Sequence, residues 1–234
     1  MSIELPSSEV LADLNQYLSR VLRIDEDAAV RITVHGTVAV ISTAPLFPVG
    51  LGDDMPLALA MRMIPIVSCA DGNIDEVVPA SAVVDRLVRS SKTDSLELRV
   101  PPQRVQKSWT GIAPPRTGWA PVAEVDAESL RDVADAGVKE ITEGVPEGAG
   151  AHAVSALRTA VWKRPIEGIS DAVKSPVPAG LAFAMDACGF LRVSRPVKVF
   201  AAPQWLRLSA PHGHVLTRVS VSYTHLTLPT ICSV

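Results

Sequence analysis

Residues 1–220 predict an α+β fold: an N-terminal α-β-β-β-α-β lobe, then a three-helix lobe ending in a β-hairpin. Three observations carry this. Apolar residues recur at helical spacing from Val10 to Leu22. Short alternating or β-branched runs follow, between Val30 and Ile64. Beyond residue 120 the spacing turns helical for three segments before alternation returns near Val197. The expected organisation is a mixed lobe over 1–101, a Pro/Trp-rich strap over 102–120 and a helical lobe with its hairpin over 121–220.

Ser7 or Ser8 opens the first helix, because a serine oxygen accepts orphan N–H groups of a first turn. Val10, Leu14, Leu18, Val21 and Leu22 form its buried stripe, and it ends near Ile24, before Asp25-Glu26-Asp27. Val30, Ile32 and Val34 alternate with Arg31, Thr33 and His35 as a strand. Val38–Ile41 is a second strand, joined to the first by a tight turn at His35-Gly36. A Pro- and Gly-rich loop, Ala44–Pro56, leads to a third strand over Leu57–Ile64. Val78–Val88 reads as a helix with Pro79 in its first turn, and Leu96, Leu98 and Val100 as a fourth strand. In the second lobe Asp126 caps a helix carrying Leu130, Val133, Val138 and Ile141, closed by Gly144. A second helix carries Val154, Leu157 and Val161, and a third runs from Pro178 to Gly189. Strands return at Val197–Phe200, Trp205–Leu208 and Val215–Val219, with the last turn at Pro211-His212-Gly213. No stretch repeats another.

Hydrophobic residues make up 47% of the chain and charged residues 20%, which is globular composition. Sixteen Arg against six Lys, with only two Asn, is the coding bias of a high-GC bacterial genome. The scattered Cys69, Cys188 and Cys232 form neither a disulfide framework nor a zinc site. Glu4 and Glu9 replace the basic start of a signal peptide, and no apolar run is long enough to cross a membrane. A cytoplasmic setting without a membrane partner is expected. Charge is uneven: residues 119–150 hold eight acids against Arg131 and Lys139, whereas 151–220 hold nine Lys and Arg against Glu167, Asp171 and Asp186. Either the two segments complement each other, or Arg192, Arg195, Arg207 and Arg218 form a basic face. The third helix carries no Lys or Arg over Ala179–Cys188, so it makes a poor recognition helix. Nucleic acid is therefore disfavoured as a partner.

Trp109-Thr110-Gly111-Ile112-Ala113-Pro114-Pro115-Arg116-Thr117-Gly118-Trp119 is the most distinctive segment. Pro-Pro stiffens an extended arm, and the glycines allow sharp turns beside it. Arg116 is placed to stack on Trp109 or Trp119, or to clamp a carboxylate or phosphate. The plainer alternative is a packed strap whose tryptophans simply bury apolar area. Together with the acidic helix, the Ala-rich helix and the Trp205–Leu216 hairpin, this segment resembles an uncharacterised family of actinobacterial proteins, over roughly residues 100–220. That resemblance implies a bacterial cytoplasmic setting and transfers no catalytic residue.

Three other features offer chemistry. Asp53 and Asp54, in a Gly-rich loop, are candidate acid–base groups or ligands of a divalent cation, or else solvated turn residues. Gly144–Gly150 precedes a helix but lacks the strand and the Lys-Ser/Thr of a phosphate loop. His212 and His214 lack a third ligand at metal-site spacing. No metal and no cofactor are implied.

Val221–Val234 contains Val-Ser-Tyr-Thr-His-Leu-Thr-Leu-Pro-Thr, which resembles one reading frame of a sequencing-library adapter. The alternative is a genuine strand, which Tyr-Thr-His-Leu-Thr-Leu favours by propensity. On the adapter reading, Tyr223, His225 and Cys232 leave the functional inventory, and the last strand is short of a partner. The preferred functional expectation is a non-catalytic binding or protein-interaction module with the Trp109–Trp119 segment at its ligand surface. The alternative is an enzyme on a small anionic metabolite, with Arg116 as clamp and Asp53 or Asp54 as acid, base or metal ligand. That alternative requires the three residues to converge on one substrate.

Overall fold

The computed structural model describes residues 1–219 apart from 51, 146, 147, 149 and 174. The adapter-like tail lies outside the described residues, and the Gly144–Gly150 loop does so in part. The elements run β1 (Ser2–Glu4), α1 (Ser8–Ile24), β2 (Ala29–His35), β3 (Val38–Leu46), β4 (Ala58–Pro65) and β5 (Ser68–Cys69). β6 (Asp75–Pro79), α2 (Ala80–Lys92) and β7 (Glu97–Arg99) follow, then a 3-10 turn at Ser108–Gly111. The second half has β8 (Ala120–Val125), α3 (Ala127–Gly144), α4 (Ala151–Trp162), α5 (Ile169–Val173) and α6 (Gly180–Ala187). It ends with β9 (Val197–Ala202), β10 (Trp205–Ala210) and β11 (Gly213–Arg218).

The α+β class holds, and most elements lie where periodicity places them. The Ser7 hydroxyl accepts the Val10 N–H and opens α1. The β2–β3 hairpin turns at Gly36, whose φ of +59° lies where a side chain is disfavoured. Five elements depart from the reading. Asp75–Val78 is a strand rather than the run-up to a helix, and Pro79 pairs with Ala29 and serves as the N-cap of α2. β1, β5, β8 and α5 have no counterpart in the sequence reading.

The two halves share one antiparallel eight-stranded sheet, ordered β6-β2-β3-β4-β11-β10-β9-β8. β11 therefore has both neighbours among the described residues, because β4 from the first half pairs along its free edge. That corrects the expectation of a last strand short of a partner. The order is palindromic. α1 leads into the meander β2-β3-β4, and α6 leads into β9-β10-β11; the two meanders meet through their last strands. The flanking units β6-α2 and β8-α3 correspond in the same way. This internal two-fold arrangement escaped the sequence because the flanking unit follows its meander in one half and precedes it in the other.

α2 packs on α1, α3 on α6, and α1 on α6, so these helices cover one sheet face. Beneath them Val30, Ile32, Ile41, Ala60, Leu206, Leu208 and Val215 are buried. Tyr17 of α1 stacks on Phe190 with ring centroids 5.5 Å apart, and its hydroxyl lies 2.8 Å from Thr43 Oγ1. Trp162 stacks on Phe183 at 4.6 Å and fills the space over Gly137 of α3. A small second sheet, β5-β1-β7, closes one end. No helix among the described residues is long and apolar enough to cross a membrane.

Candidate ligand site beneath the strap

A strand exposes alternate side chains on opposite faces, so burying one face under helices commits the other residues to the far side. That outer face carries Arg31, Thr33 and His35 from β2, Val40 and Ser42 from β3, and Leu59, Met61 and Met63 from β4. β10 and β11 add Arg207, His214 and Leu216. The strap crosses this face from edge to edge. Val105 donates its N–H to Val77 of β6, and Ala120 pairs with Ala201 of β9 at the opposite side. Eight strands are about 34 Å across, and fifteen extended residues reach about 50 Å. The slack is taken up by the 3-10 turn and the bend at Arg116-Thr117-Gly118.

Two anchors hold the strap. Trp109 is buried against Leu59, Leu216 and Trp205 in an apolar cluster of its own. Arg31 grips Asp75 with two hydrogen bonds of 2.7 Å and donates a third, of 3.0 Å, to the Thr110 carbonyl. The Arg31 bond and its charge hold the Asp75 carboxyl below the usual carboxylate range. Between strap and sheet remains a cavity of about 340 Å³. Its walls are mostly apolar, and Met63, 56% exposed, stands among them.

Two polar groups in this cavity lack partners among the described residues. The Arg207 guanidinium is sandwiched between the Trp119 ring, 4.6 Å from its centroid, and the Phe200 ring at 4.5 Å. Phe200 lies directly across the ladder from Arg207, while Trp119 is fixed by donating its indole N–H to Pro115 O at 2.9 Å. Arg207 Nε is buried with no hydrogen-bond partner, and burial pulls the guanidinium below its ordinary pKa. His214 lies opposite Ser209, two residues along β10 from Arg207. Its Nδ1 is likewise buried and unpartnered. Burial first, and the Arg207 charge second, pull the His214 imidazole down to about 4, so it is neutral at pH 7.

Trp109, Arg116 and Trp119 all line this one cavity. Arg116 stacks on neither indole; it reaches His35 Nε2 at 3.3 Å, and Arg207 takes the stacking position. Asp53 and Asp54 are not among the lining residues. Asp53 accepts the N–H groups of Val49 and Met55, each at 2.9 Å, and so closes its own loop. Asp54 pairs with Lys163 at 2.6 Å. Among the described residues, no three His, Cys, Asp or Glu side chains group as metal ligands. The acidic and basic segments meet through Arg164 and Glu140, joined by two bonds of 2.6 Å. Of the four arginines considered for a basic face, Arg195 lines a groove with Asp126, Glu128 and Asp132, while Arg192 reaches Gln16, Arg218 reaches Gln204 and Arg207 enters the cavity.

Arg207 and His214 were missed as site residues. The signal was present, since Arg207 alternates with buried Leu206 and Leu208 and must face away from the helices. What covers that face could not be read from local spacing.

The sheet with its helix layer is the fold of DNA polymerase III beta subunits. The subunit from Pseudomonas aeruginosa superposes with a TM-score of 0.51 at 10% identity, over 94% of this chain and 65% of that one. The Borrelia burgdorferi subunit, solved in complex with a natural product, gives 0.51 at 9% identity with the same coverage. Caulobacter crescentus pol III beta gives 0.51 at 12% identity. The chain thus spans 65% of the length of the clamp subunits it matches. In sequence, residues 1–111 match the domain of unknown function DUF8010, and residues 114–222 match the domain of unknown function DUF8185. No curated protein matches the chain.

Proposed function

We propose that the protein is a non-catalytic binding module whose ligand surface is the cavity beneath the strap. The observation that carries this reading is the cavity itself: apolar walls with two oriented polar groups lacking partners. Ligand pockets are commonly built in this way, with a few fixed polar groups on an apolar surface. The carboxylates that an enzyme would need, Asp53 and Asp54, are engaged elsewhere. Likeness to clamp subunits supports an interaction role.

A thermal-shift screen of small acids, amides and amines tests this, repeated on Met63→Arg. Met63 is exposed at the cavity wall, so the substitution obstructs the cavity without disturbing the core. Hits that stabilise the native chain should lose their effect in the variant. Hits indifferent to Met63→Arg would refute the site.

A second reading, a DNA-associated partner, draws on the matched proteins being subunits of a DNA polymerase. The expectation that sets nucleic acid aside finds no support in the fold. The helix layer is mixed in sign: α3 exposes Glu128, Asp132 and Asp135, while α1 and α2 expose Arg23, Arg89 and Lys92. Fluorescence anisotropy with duplex DNA at two salt concentrations decides the point. Direct binding would weaken steeply with salt.

A further inference from the structure

We infer that the strap cavity receives a carboxylate carried on an apolar body, with Arg207 and His214 as the anion-binding pair. This rests on the reading of the cavity as the ligand surface and goes beyond it by naming the ligand chemistry.

Charge comes first. The lining holds three arginines, Arg31, Arg116 and Arg207, and one acid, Asp75. Asp75 is already committed to Arg31 through both carboxylate oxygens. The remaining positive charge repels cations and favours an anion. Arg116 reinforces this beside His35.

Geometry comes second. Arg207 has no carboxylate partner among the described residues, yet its guanidinium is held in place by two aromatic rings. A stacked guanidinium is already oriented, so little side-chain freedom is lost when an anion binds. His214 sits diagonally across the ladder from it. Neutral imidazole donates from one nitrogen, and with Nδ1 buried the Nε2–H tautomer is the one that offers a second donor to the cavity. One guanidinium and one imidazole N–H match the two oxygens of a carboxylate. Inorganic phosphate has no apolar body to cover the cavity's apolar walls.

Shape comes third. Val40, Met61, Met63 and Leu216 form an apolar floor beside the pair. The methionines adapt to varied apolar shapes. A volume of about 340 Å³ is at the small end of ligand pockets, so the guest is a small acid or the end of a chain.

Isothermal titration of the full chain tests the assignment with matched pairs of probes. One pair is 3-phenylpropionate and 3-phenylpropionamide. The other is N-acetyl-Leu-Phe with a free carboxylate and its C-terminal amide. Inorganic phosphate is the fifth probe. Each acid should bind about tenfold or more tightly than its amide, since hydrogen bonds to charged groups carry that advantage. Arg207→Gln should abolish the acid preference while leaving amide binding within a few-fold. If circular dichroism shows that Arg207→Gln fails to fold, imidazole resonances of His214 in the native chain serve instead; they should shift with acids and not with phosphate. The tighter acid tells a free metabolite from a peptide terminus. Acid and amide binding equally, or phosphate matching the acids, overturns the inference and leaves the binding-module reading standing. Fragment hits that exclude all acids do the same, whereas hits insensitive to Met63→Arg remove both.

Discussion

His214 makes stability depend on pH in a way that can be worked out from the structure. Its folded pKa is about 4 against an ordinary value of 6.5. Above pH 6.5 the ring is neutral in both states, and the contribution is fully present. As pH falls, the unfolded chain takes up the proton first, so stability is lost between about 6.5 and about 4. At about 1.4 kcal/mol per unit, the loss between pH 7.5 and 4.5 is about 2–3 kcal/mol. Urea denaturation across this range, on the native chain and on His214→Gln, reads that loss. His212 is also depressed, and Asp186 is raised by burial and by Asp135, but both are common to the two proteins and cancel in the difference. With a slope of roughly 2 kcal/mol per molar urea, the native midpoint should fall by about 1 M more than that of the variant. Parallel pH profiles for the two proteins would refute the burial of this imidazole.

Other perturbations give separate readouts. Gly137→Ala drives a Cβ into the Trp162 ring, which is buried and stacked on Phe183. The helix gains about 1 kcal/mol in propensity and loses about 1–3 to overpacking, so calorimetry should show a Tm lowered by a few degrees. Tyr17→Phe removes the hydroxyl shared with Thr43 and should cost about 1–2 kcal/mol in chemical denaturation. Asp75→Asn weakens the Arg31 grip, so amides of residues 105–119 should exchange faster while the global midpoint barely moves.

Legibility followed the range of the forces involved. α1 was readable because its cap, its stripe and its acidic stop all lie within seventeen residues and their flanks. β8 was not, since its residues are mostly exposed and it holds Pro121 beside a register shift, as an edge strand allows. β6 was hidden by Val77-Val78-Pro79, which reads equally as a strand end or a helix start. Trp109, Arg116 and Trp119 could be grouped because they are close in the chain, and the strap carries all three to one cavity. Their partners Arg207 and His214 come from strands about ninety residues further on. Only the pairing of β4 with β11 fixes that distance, and no local pattern encodes it.

That pairing also sets the order of events at synthesis. Ala60 finds Val215 only after 155 further residues have been made, which takes roughly 10–30 s at ordinary elongation rates. Through that interval β4 is an unpaired edge carrying Leu59, Met61 and Met63, open to any passing strand. Its own sequence supplies guards: Arg62 places a charge in the run, tethered to Asp13 of α1, and Pro65 ends it. A first half made alone would keep that edge open indefinitely. Solubility of the isolated halves is thus a property of the seam, and only the joined chain lacks a sticky edge there.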